Sequence, residues 1–491
     1  MSRLSSGKSL WRPGRANRNK NVAVESAAKR VLNSAPTNRF GFALAGPARH
    51  ASSIIDMPDH TLLETARNTN RSTRRRFTAT SFLTAFVSLT ALAVHAAPRH
   101  VYLTWQGDTS RTMTINYQTF DPAEASTVYF DTKSRNGRTN AYRFAAKGTS
   151  HQIPGLLDGR KIHWIELNGL RPGETYYFIA GDSLNGFSAE QKFRTVPSGS
   201  QKLRFVIGGD IGVSTSVAPL LQQAAKTSPA FGAVGGDIAY ANDALTNYQR
   251  WDAWLDLWET NMVTPSGYTI PMVLAIGNHE VRGTNYATAT ANFYFGYFAQ
   301  NPGRSYYSRT FGENLVMFLL DSGHFSPHDG AQAVWLDAQL SAQASVPHRF
   351  AVYHVPLYPS FRSPEGGGSV KGRETWLSLF DKYHLTTAFE HHDHTFKRTQ
   401  LLRANKIDTQ GTLYLGDGCW GQPARKVGAT RQWYEVKAAS IQHFWRVDVT
   451  RSRVEYRAIN KEGKVFDVYP ATAAGVKAAG KVYESLTNPK P

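Results

Sequence analysis

The chain has 491 residues, a formal net charge of +19 and one cysteine, and it is 41% hydrophobic and 12% aromatic. At roughly 150 residues per domain this exceeds a single small module, and the composition excludes a disordered chain. The lone Cys419 excludes an intrachain disulfide framework and a cysteine-based zinc site, so any metal ligands must be His, Asp, Asn, Glu or Tyr.

The charge is uneven along the chain. Residues 1–96 hold 15 Lys+Arg against 4 Asp+Glu, net +11, which leaves +8 for residues 97–491. A mildly basic remainder suits an anionic substrate or surface. It carries no nucleic-acid reader motif and does not demand DNA.

Residues 1–70 are polar and basic, without a sustained apolar period. They lead into Arg74-Arg75-Arg76-Phe77 and then an uncharged stretch to Val94, rich in Ala, Thr, Leu and Phe, that ends in small residues at Ala96-Ala97. A basic segment, an apolar segment and a small-residue cut site make a signal peptide, with cleavage expected after Ala96. The Arg-Arg-x-Phe core resembles a twin-arginine signal, which exports folded proteins. The expected location is therefore periplasmic or secreted, with no stable membrane span after cleavage. Met57 offers an alternative start, so residues 1–56 read as a mis-called start or extension and 57–96 as the signal.

From residue 97 to 197, short alternating segments at Val101–Trp105, Thr112–Tyr117, Ser126–Phe130, Ile162–Leu167, Thr175–Ala180 and Gln191–Thr195 predict a β-sandwich. Leu170-Arg171-Pro172-Gly173-Glu174-Thr175-Tyr176 resembles the tyrosine corner of fibronectin type III domains, in which the Tyr hydroxyl pins a loop. Residues 197–201 read as a linker.

From Lys202 the pattern changes to apolar strands alternating with helices, which is α/β layering. Strands are expected at Leu203–Ile207, Phe231–Val234, Met272–Ile276, Leu315–Leu320, Phe350–Tyr353, Thr386–Phe389 and Thr412–Leu415. Helices are expected at Pro219–Thr227, Tyr248–Met262, Ala331–Ala344 and Arg373–Lys382. A hairpin at Ile441–Val449 and Arg453–Ile459 closes the domain, placed at 202–465, and a C-terminal tail occupies 466–491. The stripe Tyr248, Trp251, Trp254, Leu255 and Trp258 has helical spacing and reads as core, or as packing against the β-domain.

Ligand-type residues follow nearly every strand of this second domain. They are Gly209-Asp210-Ile211-Gly212, Gly236-Asp237-Ile238-Ala239-Tyr240, Gly277-Asn278-His279-Glu280, His354 before Pro356, and His391-His392-Asp393-His394. In an open α/β sheet the functional crevice lies outside the carboxyl ends of the strands, so these blocks converge. Singly each is weak, since a Gly-Asp after a strand is usually a turn. Together they form an oxygen- and nitrogen-rich set too large for one ion and suited to two. Tyrosinate and carboxylate favour a trivalent ion such as Fe(III), whereas Asn with two His suits a divalent ion. The loop Leu415–Gly421 is expected beside this site, with Cys419 not a nucleophile.

These blocks resemble those of the purple acid phosphatases within the calcineurin-like metallophosphoesterases. The resemblance covers roughly residues 98–460 and includes a fibronectin-like domain ahead of the catalytic one. It implies a four-layer α/β/β/α sandwich. It also implies that Asp210, Tyr240 and His394 hold Fe(III), that Asp237 bridges, and that Asn278, His354 and His392 hold a divalent Fe, Zn or Mn. His279 then contacts phosphate and protonates the leaving group, and Glu280 orients a neighbouring histidine. The implied activity is that of an exported acid phosphatase acting on small phosphate monoesters by metal-activated hydroxide attack.

Two departures stand out. His391 replaces the family's glycine before His-x-His, and Phe396-Lys397-Arg398 replaces its Tyr-Glu-Arg. Candidate substrate or supporting residues are therefore His391, Arg398, Arg362 and His324. A phosphodiesterase on nucleotide or phospholipid-headgroup diesters is the alternative, and a non-catalytic adhesion protein the third reading.

Overall fold

The computed structural model describes residues 55–56, 97–120, 125–301, 303–416, 418–428 and 430–471. The expected signal segment 57–96, its cleavage point and the tail beyond residue 471 lie outside them.

The first domain is a β-sandwich. One sheet pairs Arg99–Thr104, Met113–Phe120, Arg160–Leu167 and Thr149–His151 in that order. The other is built around Phe144–Lys147, Thr127–Asp131, Thr175–Asp182 and Gln191–Arg194, with Ile55–Asp56 as an edge strand. Thus two residues ahead of the expected signal segment belong to the fold. Alternation sends Ile165 and Leu167 of Arg160–Leu167 into the core between the sheets, whereas Ile162, on the opposite face, is buried with Tyr102 and Ile153. The Tyr176 hydroxyl accepts the Arg171 N–H at 2.9 Å, so the tyrosine corner pins its loop. Phe144–Lys147 and Thr149–His151 escape a sequence reading because they are short and lack clear alternation.

The second domain stacks two sheets between helices. The first sheet has the order Met272–Ala275, Gly232–Gly235, Leu203–Gly208, His443–Val449, Val454–Asn460, Val465–Tyr469. Its first three strands are parallel, and the expected hairpin joins them antiparallel through His443–Val449. Val465–Tyr469 crosses the boundary expected at residue 465, so the domain extends to at least Tyr469. Phe466 and Val468 on that strand are buried, which is why it joins the sheet.

The second sheet runs Tyr307–Phe311, Leu315–Leu319, His348–Val352, Thr387–Phe389, Thr412–Gly416, Phe396–Arg403, Lys406–Ile407, with Glu435–Ala439 beside Phe396–Arg403. Between the sheets lies an apolar layer that includes Phe205, Phe231, Phe350, Phe389 and Val447. Val217–Lys226 and Tyr248–Asn261 cover the outer face of the first sheet. Ala331–Ala342 and Gly367–Lys382 cover that of the second. This is the α/β/β/α order.

The last helix begins at Gly367, ahead of the expected Arg373. Gly372 explains the approach, because a Cβ there would meet Leu357 Cδ1 at 2.8 Å. Ser369 Oγ also bonds the Pro356 carbonyl at 2.6 Å, which ties the helix to the loop carrying His354.

The tryptophan stripe serves both expected purposes. Trp251, Trp254 and Trp258 are buried, and Trp258 meets Trp420 edge-on at 6.2 Å. On the same helix Asp252 binds the buried Arg160 of the β-domain at 2.7 Å, and that guanidinium lies 4.8 Å over the Tyr248 ring. Arg160 also donates to the Tyr297 hydroxyl at 2.7 Å. An uncompensated buried arginine would be costly, so these partners fix how the two domains meet.

Candidate metal centre

The site is assembled at the carboxyl ends of the parallel strands of both sheets. Asp210, Asp237, Tyr240, His392 and His394 all have left-handed φ, of 55°, 52°, 60°, 74° and 54°. A non-glycine residue in this region carries a cost on the order of 1–3 kcal/mol. Concentrating that strain in one place is what a functional cluster does, because left-handed turns aim side chains that extended backbone would direct elsewhere.

The ligand atoms form two groups that share Asp237. Asp237, His354 and His392 make one, Asp210, Asp237 and His394 the other, with the ligating atoms of each group all within 4.8 Å of one another. His354 Nε2 lies 3.1 Å from Asp237 Oδ2 and 3.0 Å from His392 Nδ1. His394 Nε2 lies 2.9 Å from Asp210 Oδ1, and the Tyr240 hydroxyl is 3.0 Å from the same nitrogen. Asn278 Oδ1 is buried near the end of its strand with no hydrogen-bond partner among the described residues. Lone pairs facing one another and an orphaned carbonyl oxygen fit a pair of cations.

The electrostatics agree with that fit. Burial works against ionising Asp210, but His354 and His394 hold its carboxyl well below the usual range. Burial also works against protonating His354, yet the Asp237 and Asp210 carboxylates push it up to about 9. His392 is pushed down to about 2 by burial, then by His354 and Arg362. Burial and the two carboxylates raise the Tyr240 phenol far above its ordinary value, so ionising it as a ligand calls for a highly charged ion.

Local structure fixes each ligand. His354 Nδ1 bonds the Gly235 carbonyl at 3.0 Å, which leaves Nε2 for the cluster. Asp210 Oδ2 accepts the His392 N–H at 2.9 Å, joining the two sheets' loops. Gly418 lets the Cys419 loop come close, since a Cβ there would sit 1.8 Å from Asp210 Oδ2. The loop is thus beside the site, as expected. Cys419 is buried, and burial raises its thiol pKa, so it is no nucleophile.

His279 stands at the edge of the cluster with its side chain 32% exposed. Its Nδ1 bonds Asn242 Oδ1, its ring lies 4.2 Å from that of Tyr240, and Nε2 is 3.8 Å from Asp237 Oδ2. Nε2 therefore faces the space above the shared carboxylate.

The supporting residues require corrections. Glu280 does not orient a histidine. It is buried by the turn Asn278–Glu280, and its carboxyl accepts the N–H groups of Asp237, Ile238 and Gly277 at 2.7, 2.7 and 2.9 Å. Burial and Asp237 push that carboxyl up to about 8, against the pull of these amides. His391 is no substrate contact. Its ring fills the space over Gly235, where a Cβ would come within 1.8 Å of it, and Nδ1 bonds the Tyr353 carbonyl at 2.8 Å. Arg398 points away from the cluster and binds Asp467 at 2.7 Å. Lys397 forms a fully buried pair with Glu390 at 2.5 Å. His324 packs 5.5 Å from the His354 ring and bonds Ser322 Oγ at 3.2 Å, with burial and then His354 pushing it down to about 3. Arg362 is 38% exposed and bonds both Asp393 Oδ1 and the His392 carbonyl at 2.7 Å.

Sequence reasoning missed Asn242 and Asp393. Asn242 stands two residues after Tyr240, and the pair Asn242-Asp243 resembles an ordinary turn. Asp393 sits in plain view between two ligand histidines, but its partners, the N–H groups of Ser360, Phe361 and Arg362, lie on another loop.

Comparison with known proteins follows this geometry. Residues 98–195 match the family model described as the purple acid phosphatase N-terminal domain, and residues 203–396 match the calcineurin-like phosphoesterase model. Purple acid phosphatase 21 of Arabidopsis thaliana is 27% identical over 336 residues, covering 65% of this chain and 71% of its own. Probable purple acid phosphatase 20 of the same plant is 28% identical over 323 residues, covering 62% and 71%. Among solved structures, a purple acid phosphatase from yellow lupin (Lupinus luteus) seeds aligns with a TM-score of 0.64 at 19% identity, covering 76% of this chain and 74% of that one. At that identity the likeness speaks for the fold.

Proposed function

Since the chain is a purple acid phosphatase-like member of the calcineurin-like phosphoesterases, and a hydrolase, we propose that it is an exported binuclear phosphatase of small phosphate monoesters. The observation that carries the reading is the Asp237 carboxylate shared by two groups of ligand atoms, with the unpaired Asn278 Oδ1 beside them. Asp210, Tyr240 and His394 would hold Fe(III), Asn278, His354 and His392 a divalent Fe, Zn or Mn, and Asp237 both. Such a pair supplies Lewis-acid polarisation of a phosphoryl oxygen and a water nucleophile near neutral pH.

The chain's own groups do the rest. His279 Nε2 is free to carry a proton to the departing ester oxygen, because Nδ1 is occupied by Asn242. Contact with the tilted Tyr240 ring limits the ring's swing. Glu280 locks the backbone of Asp237 through paired amides, so the shared carboxylate does not drift. The diester alternative rested on the surroundings of His391 and Lys397, and both side chains are turned inward. Export rests on the Arg74-Arg75 signal, and among the described residues no helix is long and apolar enough to cross a membrane.

The test is a side-by-side rate of the metal-loaded enzyme on an aryl phosphate monoester and the matching diester. A strong monoester preference is expected. A diester preference, or no rate on either with two metals bound, overturns the reading.

A further inference from the structure

The loops flanking His392 hold a pair of arginines that the hydrolytic machinery described above does not use. Arg425 reaches the site twice. Its backbone N–H donates to the His394 carbonyl at 2.9 Å, and its guanidinium Nη1 donates to the His392 carbonyl at 3.3 Å. The same guanidinium lies 5.3 Å from the centroid of the Phe361 ring, a large apolar side chain that is 47% exposed. Arg362 donates to that same His392 carbonyl from the other loop.

The two differ in charge compensation. Arg362 is paired with Asp393, whose other oxygen is already taken by three backbone amides. Arg425 has no carboxylate within ion-pair distance among the described residues. It is held in place by a carbonyl and a ring face, neither of which neutralises it. A half-buried guanidinium held by the His392 carbonyl and the Phe361 ring, with no carboxylate partner among the described residues, suits an oxyanion, because the planar guanidinium can bond one through two N–H groups.

We propose that Arg425, supported by Phe361 and with Arg362 beside it, forms a second anion subsite next to the metal centre. The preferred substrates then carry a further anionic group, a carboxylate or second phosphate, on the alcohol side of the scissile ester. This inference rests on the phosphomonoesterase reading. In that reading the reacting phosphoryl is met by the metal pair, which leaves the Arg425 charge for a different anion. Phe361 adds an apolar edge that suits a carbon skeleton between the two anions.

The experiment uses the metal-loaded full-length enzyme, phenyl phosphate and its ring-carboxylated analogue. The wild type is expected to favour the carboxylated ester by about tenfold in kcat/KM, through KM, as one charge-assisted contact allows. Arg425→Gln brings the ratio of the two esters close to one, Arg425→Lys, which keeps the charge but not the bidentate fork, retains only part of it, and raising the salt concentration narrows it. A wild-type enzyme that turns over both esters equally overturns the inference while leaving the phosphatase reading intact. So does an Arg425→Gln variant that binds its metals and loses both activities in proportion. Failure to hydrolyse either ester with metals bound removes the phosphatase reading, and the subsite with it.

Discussion

The strand ends at Gly208, Gly235 and Ala275 deliver Asp210, Asp237, Tyr240 and Asn278, while those at Val352 and Phe389 deliver His354, His392 and His394. The first sheet thus offers oxygen donors and the second offers nitrogen. The oxygen half is held mainly through backbone. Glycines such as Gly277, where a Cβ would meet Asp237 Oδ1 at 2.3 Å, bring it into close contact, and Glu280 clamps its amides. The nitrogen half has such a clamp too, Asp393 on the amides of Ser360, Phe361 and Arg362, but adds side-chain pairs, namely Asp393 with the Arg362 guanidinium, the buried Glu390–Lys397 pair and the Tyr353 hydroxyl on Glu390 at 2.8 Å. Both departures from the family pattern, at His391 and at 396–398, fall in the nitrogen half. A side-chain pair can exchange one partner for another, whereas a close backbone approach such as that at Gly277 needs the same missing Cβ.

The contrast can be broken most severely at the atom both halves share. Asp237→Asn removes the carboxylate common to the two ligand groups. Turnover of an aryl phosphate should fall below detection and elemental analysis should find fewer than two metals per chain; retention of both metals and activity would refute the sharing. Next, His279→Asn should lower kcat by roughly 10²–10⁴, the range for a lost general acid, with metal content unchanged. The loss should shrink for esters whose leaving group needs no proton, which separates proton donation from mere packing.

A third change sharpens the difference between scaffolds. Lys397→Met leaves the Glu390 carboxylate buried without its cation and should cost about 3–5 kcal/mol in denaturant unfolding. Conversely, the activity per bound metal should stay near wild type, because Lys397 acts beneath the ligands. Smallest is an acid effect on the first sheet. His443 is packed among Phe396, Trp445 and Phe466, and burial pushes it down to about 4. The native state therefore holds it neutral, while the unfolded chain takes up a proton below about 6.5. Its contribution, about 3 kcal/mol, is present above pH 6.5 and is lost as the pH falls towards 4. Denaturation curves at stepped pH should show a shallower acid slope in His443→Gln.

Much of this was legible in the residues. Strand periodicity marked a β-rich region and an α/β region, and ligand types after strands pointed to the candidate site, because a parallel sheet gathers its carboxyl ends whatever the loops contain. What escaped was mostly direction. His391 and Arg398 belong to motif blocks and stood as candidates either to touch substrate or to support the ligands; one fills the gap over Gly235 and the other binds Asp467. Arg398 and Asp467 are 69 positions apart in sequence, and no local pattern reports such a pairing. Asn242 and Asp393 were overlooked for the same reason, since their work is done on residues from other loops.

The sequence by itself determined the order of elements, the two-domain division and the donor atoms available, since these follow from apolar period, turn residues and side-chain chemistry. Only the tertiary structure decided which residues face the cluster and which support it. It turned five of the candidate ligand residues into the left-handed region, set Glu280 on backbone amides and, among the described residues, left Arg425 without a carboxylate in ion-pair reach. The reason is physical. Composition and periodicity fix what a segment buries, but the direction of a polar side chain is chosen by partners that only folding brings within hydrogen-bond reach.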